Sequence, residues 1–251
     1  LFNSGLVQAD QAGKTLQLLS QAKTNDGTFR ASNGGTLLIS GIAVTNNSTI
    51  EALTGSTVQI AGSTILGGTL NAAGSGLFRS TGTSVLSSVF LNAPFVIVNG
   101  GDLRYVGTII SDGVVTVNET AGASQTLWRA QSGPVFLGGT GSIVLNAQAN
   151  LDTAFMYWTS NPATEIVTQI AGHTIRGTGN IYLGLFSSGL VTADRPGAIL
   201  QMLSQDKTNN ALFRAENGGI LQLLGITVDN SSGVIEARAG SVVNVNSSVI
   251  S

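Results

Sequence analysis

The chain has 251 residues and no cysteine. Disulfides and thiolate metal sites are therefore excluded. A single histidine, His173, cannot build a multi-histidine metal site. Charged residues make up only 10% of the chain, against roughly 25% in an average soluble domain. The net charge is −2 and no basic cluster is present, so no nucleic-acid surface is expected, since one needs a concentrated positive field. Four prolines are few for a disordered chain, and 42% apolar residues are too many. No apolar run approaches the roughly 20 residues of a membrane-spanning helix. Neither a signal peptide nor an initiator Met is visible, as expected of a segment cut from a longer chain.

What is present is a near-copy of the chain's own beginning. Leu1-Phe2-Asn3-Ser4-Gly5-Leu6-Val7 returns 184 residues later as Leu185-Phe186-Ser187-Ser188-Gly189-Leu190-Val191. Lys23-Thr24-Asn25, Phe29-Arg30-Ala31 and Asn33-Gly34-Gly35 return as Lys207-Thr208-Asn209, Phe213-Arg214-Ala215 and Asn217-Gly218-Gly219. In all, 25 of the first 41 positions are identical. One residue is then inserted, and Ile50-Glu51-Ala52 meets Ile235-Glu236-Ala237. The reading is one long repeat unit, 1–184, and the start of a second copy, 185–251, continuous with the first.

A shorter period runs inside the long one. Short Val, Ile, Leu and Thr runs broken by Gly, Asn and Ser predict strands, and no window has a helical period with caps. Val7, Phe29, Ile50 and Leu70 are the centres of four similar strands about 21 residues apart. Leu16, Leu37 and Val58 share that spacing, as do Leu18, Ile39 and Ile60. Ile42–Val44 and Thr64–Leu66 suggest a third strand. Three short strands per turn predict an all-β fold, a parallel β-helix solenoid of about 12 coils of roughly 21 residues. The 184-residue unit then makes about nine coils. Turn dipeptides such as Asp26-Gly27, Asn33-Gly34, Asn99-Gly100 and Asp112-Gly113 leave a hairpin-built sandwich as the alternative, which the coil-length register disfavours.

Strand alternation converts this into a surface. Val7, Phe29, Ile50 and Leu70 are expected to form one inward column, and Ala9, Ala31, Ala52 and Ala72 a second. Gln8, Arg30, Glu51 and Asn71 are expected outward, with Arg30 beside Glu51 and, in the second copy, Arg214 beside Glu236. From about Gly74 to Gly139 the pattern loosens, and the coil register there is not set by sequence.

Chemistry is harder to find. Glycoside hydrolysis needs two carboxylates facing each other across a cleft. Asp102 and Asp112 come nearest to a local pair, and turn formation explains them equally well. Neither a calcium-binding nonapeptide nor a phosphate loop is present. His173 lies in Ala171-Gly172-His173-Thr174-Ile175, at a turn or strand edge, and is read as structural. No catalytic residue, metal ligand or cofactor is assigned. The departure from pattern is aromatic: Phe155-Met156-Tyr157-Trp158 before Thr159-Ser160-Asn161-Pro162, with Trp128 in a separate strand. Exposed aromatics anchor sugars or partner surfaces, whereas alternation alone buries half of such a run. Tyr157, Trp158 and Asn161 are the binding candidates.

Tandem coils with the phrases Gly67-Gly68-Thr69-Leu70, Asn33-Gly34-Gly35-Thr36-Leu37 and Ile175-Arg176-Gly177-Thr178-Gly179-Asn180-Ile181 carry a resemblance of style along the whole chain. The chain resembles the repeat regions of large bacterial surface proteins of the filamentous-haemagglutinin and autotransporter-adhesin type. That resemblance implies a right-handed parallel β-helix, secretion, an extracellular or cell-surface location, and a role as a stalk or fibre. No functional residue of that family maps onto a position here. The expected function is a non-enzymatic structural segment whose partners are further copies of the same repeat. The alternative is an adhesin segment binding cell-surface glycans or proteins through lateral loops. A polysaccharide-degrading β-helix enzyme comes third. Outward positions differ between copies in places, Leu38 against Gln222 and Ser32 against Glu216, while Glu51 and Glu236 agree; that mixture fits drift on a solvated surface.

Overall fold

The computed structural model describes residues 1–148 and 152–251. Among them the protein is all β, a continuous stack of short parallel strands without a helix. The chain winds over three faces in turn, here named A, B and C, and each strand pairs with the strand one coil before and one coil after. Face B alone carries twelve strands, so the molecule is a parallel β-solenoid of about 12 coils. At about 4.8 Å per coil its axis is roughly 58 Å long.

The columns stand where alternation puts them. On face B, Val7 pairs with Phe29, Phe29 with Ile50 and Ile50 with Leu70. Phe29, Ile50 and Leu70 are fully buried, while Val7, on the first coil, is half-buried. Full burial of such a side chain contributes about 1.5–3 kcal/mol. Ala9, Ala31 and Ala52 are buried, but Ala72 is not. The next strand, Phe90–Asn92, pairs only as far as Asn71 and leaves Ala72 uncovered. Outside, Arg30 Nε lies 2.6 Å from Glu51 and Arg214 Nε 2.7 Å from Glu236. Part-exposed pairs of this kind are worth about 0–1 kcal/mol; their main effect is on register. The loosely patterned middle stays in stack as well. On face C, Phe78, Phe95, Val115, Ile143, Ile175, Val191 and Phe213 succeed one another coil by coil.

Polar side chains also point inward, at the corners. Asn25 donates to Asn46 Oδ1 at 2.7 Å and accepts from Asn3 Nδ2 at 2.7 Å. Asn209 repeats this with Asn230 at 2.7 Å. Buried amides are tolerated because each partner lies one rung away. Lys23 and Lys207 are buried too, each Nζ donating to main-chain carbonyls, of Leu19 and Gln21 and of Leu203 and Gln205 respectively.

The two copies do not occupy the same faces. Phe29-Arg30-Ala31 lies on face B and Phe213-Arg214-Ala215 on face C. The cause is the strand Thr174–Ile181, the longest among the described residues. Its first half pairs on face C with Ser142–Asn146 and Leu190–Ala193. Its second half pairs on face A with Ala154–Trp158 and Ile199–Leu203. One strand therefore covers two faces without an intervening turn. Gly177 (φ 107°) and Gly179 (φ 146°) sit at this corner, where a Cβ would come 2.1 Å from Leu145 O and 2.5 Å from Ala154 O. Among the described residues, twenty-four strands precede Leu185. With one counted twice they make 25 faces, so the unit spans eight coils and one face, not the nine coils that spacing alone suggests.

Candidate binding patch

The outward ladder of face A changes character half-way along. Arg104 pairs with Arg129, and Arg129 with Tyr157; beside them Asp102 pairs with Leu127, and Leu127 with Phe155. Tyr182 follows directly on the same face, one residue past the Met156–Ile181 pair. Gln125, Leu127, Arg129, Phe155, Tyr157 and Tyr182 line a shallow groove. The strand Ala154–Trp158 supplies its centre because alternation sends Met156 into the core and turns Phe155 and Tyr157 to the groove side, where Phe155 is buried and Tyr157 half-buried.

The rings are held mutually. Tyr157 stacks on Trp158 with centroids 4.1 Å apart and meets Tyr182 at 5.0 Å. The Arg129 guanidinium carbon lies 5.9 Å from the Tyr157 centroid, and its Nε is 3.6 Å from Asp102. Asp102 also receives Arg104 at 2.8 Å. One carboxylate thus orients two guanidinium groups, and a cation–π contact of this exposure is worth about 0.5–1 kcal/mol. Burial, with Asp152 and Tyr157 adding to it, pushes the Tyr182 phenol above its ordinary value, so it remains a hydrogen-bond donor. The patch combines flat apolar area with charged and amide edges.

Of the three residues expected to bind, the structure brings Tyr157 and Trp158 together and sets Asn161 apart. Trp158 is half-buried, packs against the core as well as against Tyr157, and does not itself line the groove. Asn161 is exposed in the following loop, where its Oδ1 accepts from Ala163 N at 3.0 Å, and it is not among the residues lining the groove. That loop is organised by Glu165, a nearly fully buried side chain. Glu165 accepts from the N–H groups of Thr159, Ser160, Asn161 and Ser132 at 2.6, 2.6, 3.1 and 3.1 Å, and from the Ser160 hydroxyl at 3.0 Å. Burial opposes ionisation, but the hydrogen bonds from Ser160, Asn161 and Ser132 outweigh it and hold the carboxyl down at about 2. Five donors on one carboxylate clamp the loop to the body.

Sequence reasoning missed Leu127, Arg129, Phe155 and Tyr182 as groove residues. The signal was the rung pairing of Arg129 with Tyr157, invisible without a register for the middle coils. Trp128 is fully buried and meets Tyr105 edge-on at 4.8 Å. Asp102 and Asp112 fall on different faces. Asp102 is in the ion cluster on face A, and Asp112, after the face B strand Thr108–Ser111, caps Thr140 with bonds of 2.7 and 3.0 Å. They do not form a facing carboxylate pair. His173 is fully buried with no hydrogen bond to either ring nitrogen, and burial pushes its pKa down to about 4. Burial also brings Lys207 down to about 7. Face B carries a second apolar feature, the exposed Phe90, Phe136, Ile170 and Phe186. Among the described residues no group of three or more His, Asp or Glu side chains could hold a metal ion, and no helix is long and apolar enough to cross a membrane. Compared with known families, curated proteins and solved structures, the chain has no match in any of the three.

Proposed function

We propose that this protein is a structural segment of an extracellular fibre, stalk or surface filament, with tandem units stacking into one long solenoid. The observation that carries this reading is the junction between the copies. Leu185–Ser187 pairs directly with Val167–Gln169 before it and Lys207–Asn209 after it. The repeat lengthens one rod; it does not append a second domain. Each coil caps the sheet edge of the one before, so stability accumulates along the axis from nearest-neighbour terms. The low charge and Ser/Thr/Asn-rich exterior suit a passive spacer, and the resemblance in style to bacterial surface repeats supports an extracellular reading. Immunogold electron microscopy of intact source cells tests this. Label spaced regularly along filaments supports the reading; label confined to the cytoplasm contradicts it.

A second reading rests on the face A patch. Tyr157, Trp158 and Tyr182 with Arg129 offer an aromatic surface with polar edges, the chemistry used to hold sugars or protein anchors. Low affinity per unit would be raised by repetition along the fibre. Under this reading the label gathers at contacts with other cells, and Tyr157→Ala with Tyr182→Ala abolishes that gathering without shortening the filaments.

A further inference from the structure

The one-face shift between copies keeps several local interactions while changing their azimuth. The Arg30–Glu51 pair of face B, 2.6 Å, is rebuilt as Arg214–Glu236 on face C, 2.7 Å. The buried Lys23 of face A is rebuilt as Lys207 on face B, with the same two carbonyl acceptors in sequence. The Asn25–Asn46 amide bond reappears as Asn209–Asn230 at the same 2.7 Å. Gln17, on face C, has its counterpart Gln201 on face A. A coil is therefore specified by the coils above and below it, and the three faces are interchangeable. The unit need not close after a whole number of turns to repeat without strain. It closes after 25 faces, and the remainder of one face is supplied by the corner strand Thr174–Ile181 with its two glycines.

We propose that an array of this unit is a three-sided display. This rests on the tandem-fibre reading above and extends it. Each successive unit sets the same lateral patch one face further round, about 40 Å along the axis at about 4.8 Å per coil. Three units bring it back to its starting face after about 120 Å. The Tyr157–Trp158–Tyr182 patch of face A then recurs on face B and on face C before it returns to face A. A flat partner, such as a cell surface, meets one patch in three. Partners arranged around the fibre meet equivalent patches on all three sides. Avidity depends on whether one partner can reach two sites at once, so the fibre is suited to holding several neighbours and poorly suited to lying along one surface.

Two measurements test this. The chain has no cysteine, so introduced pairs report unambiguously. Thr168 and Phe186 are rung neighbours on face B, and Thr168→Cys with Phe186→Cys should cross-link through a short bis-thiol reagent, seen as a linked peptide by mass spectrometry. If the second copy instead kept the face of the first, Phe186 would follow Tyr157 on face A. The Tyr157→Cys/Phe186→Cys pair would then link and the first pair would not, which overturns the rotation. The display itself is read by cryo-electron microscopy of the full-length protein carrying an Fab raised against the loop 159–165. Fabs at steps of about 40 Å, each turned by about a third of a turn beyond the slow twist of the stack, support the proposal. Fabs in a line along one side overturn it and leave the fibre reading standing. A single Fab per chain overturns both.

Discussion

Acid should weaken this fold through His173. Its imidazole is fully buried and neither ring nitrogen finds a hydrogen-bond partner. Burial lowers its pKa from 6.5 to about 4, with the charge of Asp112 pulling weakly the other way. The unfolded chain, titrating near 6.5, therefore binds more protons than the folded one across this window. The stabilisation is complete above pH 6.5 and is lost as pH falls towards 4. A gap of about 2.5 units corresponds to about 3 kcal/mol. His173→Leu removes both the titration and two unpaired buried nitrogens. At pH 7.5 the variant should be as stable as the parent or up to about 1 kcal/mol more stable. Urea midpoints of both proteins, followed by circular dichroism at pH 7.5, 6, 5 and 4, make the comparison. The parent should lose about 3 kcal/mol more than the variant between the first and last of these. Equal losses in the two proteins would refute the assignment, as would a His173→Leu protein much less stable at pH 7.5.

Other perturbations follow from the same structure. Asn25→Ala removes the centre of the amide ladder and strands Asn46 Oδ1, while Asn3 Nδ2 keeps the Gly5 and Thr28 carbonyls; urea unfolding should show a loss of about 1–3 kcal/mol. Gly177→Ala puts a Cβ at 2.1 Å from Leu145 O at a φ of 107°, and soluble yield and thermal midpoint should both fall sharply, by more than the roughly 1 kcal/mol of an ordinary Gly position. Glu165, held down at about 2 against an ordinary 4.5, stabilises its loop fully above pH 4.5 and loses that hold as pH falls towards 2. Hydrogen-exchange protection factors of the Thr159, Ser160 and Asn161 amides should fall through that window in the parent. In Glu165→Gln they should be low already at pH 6.

Much of this architecture was legible from spacing. Val7, Phe29, Ile50 and Leu70 announce a column because a parallel stack forces the same side-chain orientation on every rung, and Arg30 beside Glu51 follows from the same rule. The middle coils escaped because their turns lengthen, so that Leu103 and its rung partner Trp128 are 25 residues apart. Without that register Arg129 could not be placed against Tyr157, and the groove stayed hidden although its central residue was named. Inward polar residues were missed for a different reason. Lys-Thr-Asn reads as a surface loop by composition, yet Lys23 and Asn25 both face inward at a corner where carbonyls and amides satisfy them. The count of nine coils failed because the middle coils are longer than 21 residues, with Leu127 and Phe155 28 apart and Ile143 and Ile175 32 apart; one strand adds the odd face. Thr174–Ile181 turns a corner without a turn sequence, and Gly177 and Gly179 were its only mark.

The two copies form one unbroken solenoid, and cryo-electron microscopy of the full-length protein tests this most directly. A continuous rod with an axial repeat of about 4.8 Å, running through the Ile181–Leu185 junction without a break in the stack, is the predicted result. Separate bodies joined by a bend near residue 185, or density for paired antiparallel sheets, would contradict it.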